Sequence, residues 1–158
     1  MNPMDARGVT PRGDSMDDRV VIEGTEDEAA GIASILAELI RGNLAQRPEL
    51  ARLLDRLSGA VAVTAFSGDD VVGATLVFGG GQVRVKTGAD PEVRVRVTGT
   101  FDAILGLSQV PMMGSLPRPF REGTRQFNRN LRRGDVKIKG WFRGYRLLPG
   151  LLRLVSVG

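Results

Sequence analysis

Cysteine and histidine are both missing from this chain of 158 residues. Without cysteine there can be no disulfide, no thiolate metal site and no thiol nucleophile. Without histidine the commonest general base, the usual partner of a catalytic serine and the main metal ligand are gone as well. Ordinary hydrolase and metalloenzyme designs therefore fit this composition poorly. Long apolar runs are absent too: nothing reaches the roughly 18 uninterrupted residues of a membrane-spanning helix. The first residues, MNPMDARGVTPRGDSMDDR, contain no apolar h-region. A secretory signal is not expected there, and a cytoplasmic location is.

Hydrophobic residues make up 42% of the chain, enough for one domain with a real core. The net charge of +4 conceals an asymmetry. Residues 1–30 carry eight acids against Arg7, Arg12 and Arg19, whereas residues 118–146 carry ten bases against Glu122 and Asp135. The positive field lies on the C-terminal half.

Residues 1–20 combine Gly, Pro and charge with few side chains to bury, and read as a disordered tail before a domain at 21–158. The Arg12-Gly13-Asp14 triplet within it is taken as a chance match to an adhesion motif. Thr25 and Glu28 form a capping box for a first helix, with the stripe Ile32, Ile35, Leu36, Leu39 and Ile40 and a stop at Gly42. A second helix is expected from Pro48 to Gly59, burying Leu50, Leu53, Leu54 and Leu57. Strands then follow at 60–66 and 71–78 across a Ser67-Gly68-Asp69-Asp70 hairpin turn, and at 82–87 and 92–98.

The first two strands are apolar on both faces and should be central. The next two alternate strictly, with Val83, Val85, Val93, Val95 and Val97 on one side and Arg84, Lys86, Arg94 and Arg96 on the other. Direct pairing of those two would oppose like charges, so they should not be neighbours. Thr100 caps a short helix over 101–107, and a fourth helix is expected over 120–131.

The last stretch, GDVKIKGWFRGYRLLPGLLRLVSV, begins with a strand in which Val136 and Ile138 alternate with Lys137 and Lys139. After Gly140 the period lengthens: Trp141, Tyr145, Leu148 and Leu152 recur three to four apart, in a segment broken by Pro149-Gly150. A long connection at 108–119 carries Val110, Met112, Met113 and Leu116, more grease than a loop holds unless it covers a core or pocket.

Candidate chemical motifs give way to plainer readings. Gly79-Gly80-Gly81 precedes a strand rather than a helix, so no helix N-terminus awaits a phosphate. Asp69 and Asp70 sit in a hairpin turn, and no catalytic constellation emerges. The stripe Arg121, Arg125, Arg129, Arg132 and Arg133 is either a solvated helix face or a surface for anionic lipid. Nucleic acid fits less well, because the exposed strand positions hold Arg, Lys and Thr rather than stacking aromatics.

In order and spacing, GDVKIKGWFRGYRLLPGLLRL and VRVKTGADPEVRVRVTGTFDAILGL make residues 30–157 resemble the sterol carrier, or nonspecific lipid-transfer, domain family. That resemblance implies an α+β fold: a five-stranded, mainly antiparallel sheet covered by helices, with an apolar tunnel between them. It implies a stand-alone domain without catalysis and without a cofactor, taking a sterol, fatty acid or fatty acyl-CoA. The connection at 108–134 is longer and more basic than the family pattern.

The expected tunnel lining is Phe101, Ile104, Leu105, Met112, Met113, Phe120, Phe127, Trp141, Tyr145, Leu148 and Leu152. Arg125 and Arg129 are expected to attract an anionic head group, with transient contact to an anionic membrane. Burial of an acyl chain contributes about 0.8 kcal/mol per methylene, so few polar contacts are needed. The rivals are a docking or accessory domain of a lipid-metabolising system with a collapsed pocket, an enzyme domain using Tyr145, and a nucleic-acid binder.

Overall fold

A 3-10 turn, Met16–Arg19, leads into strand β1 (Val20–Glu23), a strand the sequence reading did not contain. Helices α1 (Ile32–Gln46) and α2 (Glu49–Leu54) follow, then strands β2 (Gly59–Ser67), β3 (Asp70–Gly79), β4 (Gln82–Thr87) and β5 (Val95–Thr100). Helix α3 (Phe101–Gly106) precedes a two-residue ladder of β6 (Met112–Met113) with β7 (Leu116–Pro117). Strand β8 (Val136–Lys139) and helix α4 (Leu147–Val155) close the chain. This computed structural model describes residues 16–23, 31–109, 112–113, 116–117, 125, 129, 132–140 and 142–156.

The main sheet has six strands in the order β1-β4-β3-β2-β5-β8. It is mixed: β1 with β4 and β2 with β5 run parallel, whereas β2/β3, β3/β4 and β5/β8 are antiparallel. The expectation of five strands is corrected to six, and the mainly antiparallel sheet that was expected includes two parallel pairings among its five. The two apolar strands, β2 and β3, are central, and β4 and β5 lie apart with both of them in between. The like-charge argument against pairing β4 with β5 therefore agrees with the observed order.

Period-two alternation now has a physical result. Val85, Leu76, Val61 and Val95 form one apolar row across the sheet, and Ala74, Val63, Val97 and Ile138 form the next. Helices α1, α3 and α4 pack on this face. Full burial of a leucine such as Leu44, Leu76 or Leu154 contributes about 2 kcal/mol. The opposite face carries the row Glu23, Lys86, Thr75, Ala62, Arg96 and Lys139. Over its middle folds the loop after β4, where the Asp90 amide donates to Thr75 Oγ1 at 2.9 Å and that hydroxyl donates to the Gly88 carbonyl at 2.7 Å. Gly73 permits this fold-back, since a Cβ there would lie 2.7 Å from the Ala89 nitrogen.

Several boundaries moved for identifiable reasons. Helix α1 runs through Gly42, which is exposed and costs only about 1 kcal/mol against alanine. Its continuation places Asn43 and Leu44 in the core. Asn43 Nδ2 donates to the Leu154 carbonyl at 2.8 Å, and the Arg47 guanidinium donates to the Arg153 and Ser156 carbonyls. The orphan carbonyls at the end of α4 are thus satisfied from α1. Helix α2 stops at Leu54 rather than Gly59, which instead opens β2. Strand β5 starts at Val95, because residues 91–94 form a turn. Thr100 does cap α3, accepting from the Ala103 amide at 3.3 Å. Helix α4 is not broken at Pro149-Gly150, since that proline lies in its first turn, where no intrahelical donor is lost. The Thr25–Glu28 capping box falls outside the described residues, as does the expected helix 120–131 apart from Arg125 and Arg129.

Candidate functional site

An apolar cleft lies where the three helices meet the sheet. Its floor is Val63 of β2, Val97 of β5 and Ile138 of β8, from the inward rows of the sheet. One wall is Leu36 and Leu39 of α1. Another is Ile104 and Leu105 of α3, with Leu107 and Ser108 just beyond. Helix α4 supplies Leu148, Leu151, Leu152 and Val155. Ser108 is the one polar side chain among them, and its hydroxyl donates to the Leu105 carbonyl at 2.7 Å. Apart from that one hydroxyl the lining is carbon, so what the cleft can do chemically is exclude water and hold apolar matter.

Its free volume is about 30 Å³. That is room for a single water, against several hundred Å³ in the usual ligand pocket. The helices therefore meet over the sheet almost without a gap, and no open tunnel is seen among the described residues.

Four of the residues expected to line a tunnel are brought together here: Ile104, Leu105, Leu148 and Leu152. Phe101 is half-buried against the core beside them. Tyr145 lies elsewhere, 60% exposed, with the Arg146 guanidinium 5.4 Å from its ring centre. The physical reason is that residues 142–146 form turns, and the helical stripe begins only at Leu147. The three-to-four spacing after Gly140 is thus a real helix pattern read one turn too early. Leu147, Leu148, Leu151, Leu154 and Val155 are its buried side.

Met112 and Met113 pair with Pro117 and Leu116 in the β6/β7 ladder, but their side chains lie outside the described residues. Phe120, Phe127 and Trp141 also lie outside them. Arg125 and Arg129 are helical and exposed. Sequence reasoning missed Leu36, Leu39, Val63, Val97, Ile138, Leu151 and Val155 as cleft residues. Their signal was present as the helix stripe and the strand alternation, but nothing in one sequence tells which stretch of a stripe borders a gap.

No family model and no curated protein matches this chain. Among solved structures, it is similar to the UbiJ-SCP2 ubiquinone synthesis protein at 18% identity, over 75% of this chain and 85% of that one, with a TM-score of 0.47. It is also similar to the solution structure of a conserved hypothetical protein from Thermus thermophilus, described as a sterol carrier candidate. That match has 14% identity, covers 85% of this chain and 90% of the other, and has a TM-score of 0.43. Identities this low leave ligand and activity untouched.

Proposed function

We propose that this domain binds or transfers an apolar ligand of the acyl-chain or sterol kind, without catalysing a reaction. The observation that carries the reading is the cleft lining: a single serine among a dozen apolar side chains, drawn from α1, α3, α4 and the sheet floor. At about 30 Å³ the cleft is closed, so a ligand enters by parting α3 and α4 from the sheet. The half-buried Leu105 and Leu152 are the side chains such a movement would expose first. Each methylene received would contribute about 0.8 kcal/mol towards that opening. A place inside the cell, close to lipid-metabolising enzymes, belongs to the same reading.

The same closed volume favours a second reading, an accessory or docking domain whose pocket has collapsed. Native mass spectrometry with organic extraction of the purified protein separates the two. The binding reading expects a co-purifying lipid and displacement of a fluorescent fatty acid. It also expects Leu105→Asn, which sets an amide in the apolar lining, to weaken that displacement more than it lowers the melting temperature. Recovery of no lipid and no displacement from the parent chain would leave the accessory reading standing.

A further inference from the structure

At 92% exposure, Phe142 is the most exposed large apolar side chain among the described residues. It borders an open depression of about 700 Å³ together with Arg94, Arg96, Lys139 and Arg143. Glu92 is the one acid in that lining. Arg96 and Lys139 are direct cross-strand partners on β5 and β8, a repulsive pairing in an isolated sheet. Among the described residues the ion pairs formed involve Arg19, Arg41, Arg84 and Lys86, and none of these four cations. After Asp135 the chain contains no further acid.

The turn that presents Phe142 is built, not loose. Gly140 has φ 77, and a Cβ there would run into the Arg94 carbonyl oxygen. Gly144 is buried against Val95, and the amides of Arg143 and Gly144 both donate to the Gly140 carbonyl at 3.0 Å. The backbone that presents the phenyl ring is therefore held, at the rim of a depression in which four cations outnumber one acid.

We propose that this corner of the sheet is a docking site for an anionic lipid bilayer. Phe142 enters the boundary between head groups and acyl chains, and the four cations face lipid phosphates and carboxylates. A nucleic-acid platform would spread several rings over an exposed strand face. Here the strand positions hold Arg96, Thr98, Lys137 and Lys139 rather than rings, and Phe142 stands beside them on a turn. Docking does not depend on the cleft holding a ligand.

The test is flotation of the full chain with phosphatidylcholine vesicles, with and without phosphatidylserine, at low and high salt. Binding is expected only with phosphatidylserine and is lost at high salt. Phe142→Ala is expected to lower the partition coefficient about tenfold. Arg143→Gln and Lys139→Gln each lower it about fivefold, whereas Arg52→Gln on α2 leaves it unchanged. All four positions are exposed, so the fold survives each change. Equal binding to neutral vesicles overturns the proposal. So does anionic binding that is indifferent to Phe142→Ala and Arg143→Gln, or displacement of the vesicles by a single-stranded oligonucleotide. A chain that floats with anionic vesicles yet fails to displace a fluorescent fatty acid supports docking and sinks the cleft reading instead.

Discussion

The two ends of the sheet carry the same kind of charge and treat it in opposite ways. At the β1/β4 end, Arg84 and Lys86 share one carboxylate, Glu23, at 3.6 Å and 3.3 Å. At the β5/β8 end, Arg96 and Lys139 oppose each other directly, and among the described residues neither forms an ion pair. Six strands share one apolar face, so core packing demands nothing different of the two ends. The difference lies wholly on the outer face. An edge whose cations are held by a shared carboxylate is nearer to finished as a surface, and one that leaves like charges opposed is suited to an outside anion.

The largest expected effect breaks the cationic end by its backbone. In Gly140→Ala the new Cβ meets the Arg94 carbonyl, at a φ that L-residues rarely adopt. We expect a loss of about 3 kcal/mol in chemical denaturation. A loss below about 1 kcal/mol would show that the turn is not fixed by its approach to β5.

Next comes the end with the shared carboxylate. Glu23→Gln removes the shared carboxylate and leaves Arg84 and Lys86 facing a neutral amide. Arg84 and Lys86 are exposed and Glu23 is partly so, and the expected loss is small, at most about 1 kcal/mol. The sharper readout is vesicle binding, which should rise because the whole outer face of the sheet is then cationic. Unchanged binding would mean that the two ends do not act as one surface.

The contrast between the ends was half legible in the sequence. Strict alternation in 82–87 and 92–98 placed the valines inward and the bases outward, and like-charge repulsion kept those strands apart. Both inferences rest on local chemistry, which a sequence contains. The run Val20-Val21-Ile22-Glu23 is only four residues long and adjoins a charged tail, too little to signal a strand by itself. Its partner, β4, lies some sixty residues away and runs parallel to it, a pairing with no local turn signal. With β1 unseen, Glu23 could not be read as the counter-ion of Arg84 and Lys86. The cleft was legible only through α3 and α4, where Ile104, Leu105, Leu148 and Leu152 belong to visible helical stripes. The exposure of Phe142 and Tyr145 was hidden because the glycines at 140 and 144 delay the helix until Leu147.

The smallest expected effect reverses the cationic end outright. Lys139→Glu sets a carboxylate opposite Arg96, turning a repulsive cross-strand pair into an attractive one. Such pairs contribute a few tenths of a kcal/mol to about 1 kcal/mol, so a gain of about 0.5 kcal/mol is expected. Vesicle binding should fall while stability rises, the opposite of what a purely structural role for Lys139 predicts. Salt supplies the control. In the parent chain screening weakens attraction at one end and repulsion at the other, so stability should change little with ionic strength. In Lys139→Glu both ends are attractive, and added salt should destabilise. In Glu23→Gln both ends are repulsive, and added salt should stabilise. If the two variants respond to salt with the same sign, the charges on this face are too hydrated for their pairing to matter.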